Sequence, residues 1–283
     1  MSPGSHKRTK ALLKRLFSRP GAPPVVEKPL VGGGAPRLPL GLRLYVVGDV
    51  HGRIDLLRGI ETLIAEDGAA SGGDLARTIV YLGDYVDRGF ESRQVLDHLI
   101  GRPVPGFERV LLLGNHDLWL KAFVEGEDSG QSWLRFGGDA TLLSYGVKMN
   151  FDLPDKERIE DARGQLRARM PEAHRAFLGR LELGFGLGDY FFCHAGVRPG
   201  VALDRQADSD LLWIREPFLS STADHGKVVV HGHTIENAPV VRRNRLGIDT
   251  GACFTGNLTC LVIEGEGFRF LSTLRGGSGA PAG

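Results

Sequence analysis

The sequence predicts a layered α/β protein whose helices cover a sheet, and three observations carry that expectation. Five apolar runs of three or four residues, rich in β-branched or aromatic side chains, read as buried strands. After the first two, stretches with helical periodicity follow, giving repeated strand–loop–helix units. The third observation is chemical: each run leads directly into Asp, His, Asn or Arg. In layered α/β sheets ligands bind beyond the carboxyl ends of strands, so one edge should collect all five clusters.

The first run, Leu44-Tyr45-Val46-Val47, precedes Gly48-Asp49-Val50-His51-Gly52. Leu56, Leu57, Ile60, Leu63 and Ile64 then share one helical face, ended near Asp67-Gly68. The second run, Ile79-Val80-Tyr81-Leu82, precedes Gly83-Asp84-Tyr85-Val86-Asp87-Arg88-Gly89. Ser92 is placed to cap a helix carrying Val95, Leu96, Leu99 and Ile100, with Gly101 as its stop. The third run, Val110 to Leu113, precedes Gly114-Asn115-His116-Asp117. From Asp117 to Leu183 the pattern changes: Trp119, Trp133, Phe136 and Tyr145 stand among glycines and charges, and Pro171 opens a helix with Ala173, Phe177, Leu178 and Leu181 on its apolar side. This insertion is expected to form a wall or lid above the site, with His174 a structural residue. The fourth run, Tyr190 to Cys193, precedes His194-Ala195-Gly196, and the fifth, Val228 to Val230, precedes His231-Gly232-His233-Thr234. Strands are also expected at 246–249, 259–263 and 268–271. Asp249 either hydrogen-bonds a ligand imidazole or forms a turn.

Asp49 and His51, two apart on extended backbone, can point the same way and, with Asp84, hold one divalent ion. Asn115, His194 and His233 supply a neutral oxygen and two imidazoles for a second. Asp84 would bridge the two ions, roughly 3.5–4 Å apart. An oxygen and imidazole set without thiolate favours manganese foremost, then iron or zinc, over magnesium or calcium. Two cations on a shared water make hydroxide available near neutral pH. Arg88 can clamp phosphoryl oxygens in bidentate fashion. A protonated His116 can hand a proton to a departing alkoxide.

Gly-Asp-x-His-Gly, Gly-Asp-x-Val-Asp-Arg-Gly and Gly-Asn-His-Asp together resemble the metallophosphoesterase superfamily. Within it, the chain is most similar to bacterial members of the phosphoprotein phosphatase family, the bacteriophage lambda phosphatase among its relatives. The resemblance covers about residues 43 to 264. It implies a four-layer sandwich of two mixed β-sheets flanked by helices. It implies Asp49, His51 and Asp84 on one ion and Asp84, Asn115, His194 and His233 on the other. It further implies His116 as general acid, Asp87 as the carboxylate orienting it, and Arg88 with Asn115 on the phosphate. The second arginine of the family is best matched by Arg215, in Leu211-Leu212-Trp213-Ile214-Arg215-Glu216. The implied activity is hydrolysis of phosphoserine and phosphothreonine in proteins. Symmetrical diadenosine tetraphosphate hydrolases have similar motifs, but tend to have alanine where this chain has Asp87. A phosphoprotein-binding scaffold would be expected to have lost a ligand or the acid, and none is missing.

Composition narrows the remaining options. The chain has 283 residues and a net charge of +1. Residues 1–40 hold eight Lys/Arg and the single acid Glu27, leaving 27 basic against 33 acidic residues in the body. A body near −6 argues against nucleic-acid binding. Leu12, Leu13, Leu16 and Phe17, interleaved with basic residues in 1–20, read as a helix contacting anionic membranes or as a solvated tail. Residues 21–40, rich in Pro and Gly, read as a flexible tether, 41–275 as the catalytic domain, and 276–283 as a disordered tail. Three cysteines give no disulfide framework, which favours a reducing cytoplasm. Cys193 should face away from His194 and pack in the core.

Overall fold

Successive side chains of the first strand go to different cores, as a two-residue period demands. Leu44 and Val46 are buried in one apolar cluster, Tyr45 and Val47 in another. The computed structural model describes residues 27–72, 75–101, 103–128 and 130–274. The expected basic helix within 1–20 and the tail from Gly276 lie outside the described residues.

In chain order the strands are β1 (Leu42–Val47), β2 (Ala76–Tyr81), β3 (Glu108–Leu111), β4 (Gly184–Leu187), β5 (Tyr190–Cys193), β6 (Val228–His231), β7 (Val240–Val241), β8 (Arg245–Gly247), β9 (Thr259–Glu264) and β10 (Gly267–Ser272). They form two sheets of five, ordered β10-β9-β1-β2-β3 and β4-β5-β6-β8-β7. Both are mixed: β1, β2 and β3 run parallel, as do β5, β6 and β8, while the flanking strands pair antiparallel. The helices are α1 (Ile54–Ala70), α2 (Ser92–Gly101), α3 (Asn115–Glu125), α4 (Gln131–Trp133), α5 (Asp139–Ser144), α6 (Asp155–Arg169), α7 (Glu172–Leu178), α8 (Asp208–Trp213) and α9 (Ala252–Thr255).

Three apolar layers join four structural ones. Leu44, Val80 and Leu82 meet Phe192, Val230, Leu246 and Ile248 between the sheets. Leu57, Ile60, Val95, Phe123 and Leu166 of the helices cover the outer face of the first sheet. Leu211, Ile214 and Phe218 cover the outer face of the second, where Cys193 lies, on the opposite side from Phe192. The predicted four-layer sandwich is present.

Several local expectations change. Ser92 begins α2 but does not cap it; its hydroxyl accepts the N–H of Asp87 instead. Gly101 is the last helical residue, and Leu181 lies beyond the end of α7. The third strand begins two residues earlier than expected and ends at Leu111, after which Leu112 still donates to Tyr81 and Leu113 donates to Glu182. Residues 27–40 are not a free tether: Leu38 is buried between the sheets, its N–H donates to Gly265, and that of Leu30 donates to Arg243. Apolar burial outweighs the Pro and Gly content there. Of the wall or lid expected from the insertion, a wall is present: the Gly137 carbonyl accepts the Arg88 N–H, Trp133 and Thr141 bond Asp87, and α5 and α7 pack on α2.

Candidate metal and phosphate site

Among the described residues, five non-glycine residues have positive φ: His51 (46°), Asp84 (52°), Asp87 (73°), Arg88 (67°) and His233 (62°). All five are residues the sequence assigned to the site. Left-handed backbone costs an L-residue roughly 1–2 kcal/mol, so the surrounding contacts must hold each of them there. Asp117 holds one such loop. From the first turn of α3 its carboxylate accepts the N–H groups of Gly114 (3.0 Å), Asp84 (2.8 Å) and Tyr85 (3.0 Å). Gly114 is required for that approach, since a Cβ there would collide with the Asp84 carboxylate.

Asp84 lies between two imidazoles. His51 donates from Nδ1 to the carbonyl of Val86 (2.9 Å) and His194 from Nδ1 to that of Leu82 (2.9 Å). A carbonyl only accepts, so both tautomers are fixed and both Nε2 atoms carry lone pairs. Burial, with the charge of Arg88 on His51, keeps both rings neutral by lowering their pKa. The two Nε2 atoms stand 3.4 and 3.5 Å from Asp84 Oδ2. Burial would raise Asp84, but His194, His116, His51 and Arg88 together hold it well below the usual carboxylate range.

The remaining candidates gather around it. His194 Nε2 is 2.8 Å from Asn115 Oδ1 as the amide is oriented, so two acceptors face one another, an arrangement that suits a cation. Asp84, His194 and His233 bring donor atoms within 4.8 Å of one another. Burial pushes His233 down to about 2, so it too offers a neutral imidazole. His51, Asp84 and His116 form a second such group. Asp49 lies outside that group, and its carboxylate accepts the N–H of His233 (3.1 Å). Burial, then the charges of Asp249 and Asp84, push Asp49 well above the usual carboxylate range. A buried set of carboxylates, neutral imidazoles and an amide oxygen fits divalent transition-metal ions.

His116 and Asp87 form a tight dyad. His116 Nδ1 donates to Asp87 Oδ2 at 2.7 Å, and both are buried. The same oxygen accepts Trp133 Nε1–H (2.8 Å), and Asp87 Oδ1 accepts the Thr141 hydroxyl (2.6 Å). Burial raises Asp87, while His116, Thr141 and Trp133 hold it down. Sequence reasoning missed Asp117, Trp133 and Thr141. Only Asp117 left a signal, lying three residues past the cap position Gly114.

Arg88 donates to His51 Nε2 (2.7 Å) and His116 Nε2 (3.0 Å) and lies 5.8 Å from the Phe254 ring. Its backbone N–H bonds Gly137 of the insertion. Arg215 is exposed and close enough for its charge to lower His233. Trp119 rests edge-on against His116 and Trp213, and stacks on the exposed Phe136 at 5.6 Å. Asp249 does not bond a ligand imidazole: Oδ1 accepts the N–H of Gly251, and its carboxyl lies against Asp49.

The family profile of calcineurin-like phosphoesterases matches residues 42–256. The chain is 26% identical over 230 residues to the serine/threonine-protein phosphatase 2 of Salmonella typhimurium, covering 78% of this chain and 93% of that protein. In fold it is similar to a protein provisionally named a diadenosine tetraphosphatase, with a TM-score of 0.54, 21% identity, and coverage of 83% of this chain and 95% of that one. It also matches a mutant of a cold-active protein tyrosine phosphatase at a TM-score of 0.49 and 16% identity, over 83% of this chain and 80% of that one. With two mixed five-stranded sheets between helical layers, and a profile match reaching from β1 past the last site loop, the chain belongs to the calcineurin-like phosphoesterase family.

Proposed function

We propose that the protein is a metal-dependent phosphomonoesterase that hydrolyses phosphoserine and phosphothreonine in proteins. The His116–Asp87 dyad carries this reading, because an aliphatic alkoxide leaves only if it is protonated. Asp49, His51 and Asp84 would hold one divalent ion, and Asp84, Asn115, His194 and His233 another, with manganese preferred over iron or zinc. When bound, the ions supply an acidified water and offset phosphoryl charge. Arg88 and Arg215 orient the phosphate, with Asn115 beside them, and a rigid guanidinium fork suits that task. His116 donates the proton from Nε2, and Asp87 fixes its tautomer and orientation. The catalytic unit is 41–275, with 27–40 packed against it, and acts in the cytoplasm. Binding of the full-length chain to anionic liposomes at low salt distinguishes weak membrane contact through residues 1–20 from a solvated tail.

The runner-up, hydrolysis of a dinucleoside polyphosphate, draws support from exposed aromatic rings near Arg88, since Phe136 and Phe254 offer faces to a base. Turnover with manganese of a phosphoserine peptide against diadenosine tetraphosphate separates the two. The proposal expects the peptide to give the higher kcat/KM, and the reverse order overturns it. No turnover of either, or of p-nitrophenyl phosphate, would leave a binding scaffold.

A further inference from the structure

A third carboxylate shares the buried space of Asp49 and Asp84. Asp249 stands just past the end of β8, with 3% of its surface exposed. Its Oδ1 accepts the N–H of Gly251 at 2.9 Å, closing a turn in which Gly251 has φ of 69°. Asparagine would make the same turn. Its Oδ2 is buried without a hydrogen-bond donor. The carboxyl lies within hydrogen-bonding reach of Asp49 and near the charges of Arg88 and Asp84. Three buried carboxylates beside a single guanidinium form an unbalanced set, and a bare buried carboxylate oxygen is unfavourable unless a cation meets it. The turn explains Oδ1 but neither Oδ2 nor the acid.

We propose that Asp249 is a further carboxylate of the ion site at Asp49, strengthening the hold on the divalent ion there. This rests on the reading that Asp49, His51 and Asp84 take such an ion. Gly232 supports the crowding, since a Cβ on it would collide with Asp49 Oδ1 and disturb this acidic corner.

Asp249→Asn keeps the turn acceptor and removes the charge, and Asp249→Ser is a second variant with a shorter acceptor. The full-length chain, freed of metal by chelation, is titrated with Mn²⁺ by calorimetry, with free Mn²⁺ followed by electron paramagnetic resonance. Wild type is expected to take two ions per chain. Both variants should melt as wild type does without metal, and bind one ion at least tenfold more weakly with the other unchanged. Unchanged affinity at both sites in a folded variant would overturn the proposal and leave Asp249 a turn former. Failure of Asp249→Asn to fold would assign the carboxylate to the fold and overturn it equally. A wild-type chain that takes up no Mn²⁺ would defeat the divalent-ion reading itself, a result distinct from the others.

Discussion

Arg88 shows how one residue can be held ready by its surroundings. Its backbone is left-handed, its N–H is tied to Gly137, and its guanidinium spans His51 and His116. The held backbone limits reorganisation when charge develops on a phosphoryl group, while the guanidinium must leave the two imidazoles to meet it. Arg88→Ala is expected to lower kcat/KM on a phosphoserine peptide by roughly 10²–10³, the usual scale for a preorganised donor. Arg88→Lys should recover little, because a point charge cannot reproduce the fork. A lysine variant with wild-type kinetics would contradict the clamp. The candidate ligands were legible because each lies within a few residues of the end of its own strand. Asp117, Trp133 and Thr141 were not. They reach Asp84 and Asp87 across 33, 46 and 54 residues of chain, which no local spacing records.

At the scale of elements, the insertion acts through the dyad. Trp133 on α4 and Thr141 on α5 hold Asp87, and α5 is secured by a second polar chain. The hydroxyl of Tyr145, just past α5, donates to His174 Nδ1 (2.6 Å), and His174 Nε2 donates to Asp97 on α2 (3.0 Å), with Arg93 beside both. Burial lowers the pKa of His174 although Asp97 opposes the shift. An unfolded imidazole near 6.5 therefore takes up a proton that the folded one resists. The stability of this bridge is complete above about pH 6.5 and is lost as pH falls. His174→Gln should lower the melting temperature of chelator-treated protein at pH 7.5, by a margin that narrows towards pH 5.5. A margin independent of pH would contradict a neutral bridge. Elements that the sequence hid have physical reasons. The glycine-rich β4 reads as a turn, yet Gly184 makes room for the Phe191 ring of β5. The long α6 buries only Ile159, Ala162, Arg163 and Leu166, too thin a stripe to stand out among its charges.

Across the whole molecule, the two sheets place their parallel strands so that the loops after β1, β2, β3, β5 and β6 converge, and that much followed from strand periodicity and motif order. The packing of 27–40 did not, because Pro and Gly content signals a linker while Leu38 alone signals burial. Deleting residues 1–26 should leave turnover and melting unchanged. Deleting 1–40 removes a buried Leu worth about 1.5–3 kcal/mol, so melting should fall by on the order of 5 °C. Equal melting of the two truncations would contradict the packing of this segment.

The central claim is that His116 protonates the leaving group while Asp87 holds it. A serine alkoxide needs that proton, whereas p-nitrophenolate departs without it. The direct test is kcat of His116→Asn on a phosphoserine peptide and on p-nitrophenyl phosphate, with bound metal measured in both proteins. The expected loss is roughly 10²–10⁴ on the peptide and clearly smaller on the aryl ester. Equal losses on both substrates, with both ions still bound, would contradict proton donation by His116 and reduce the dyad to an electrostatic or structural device.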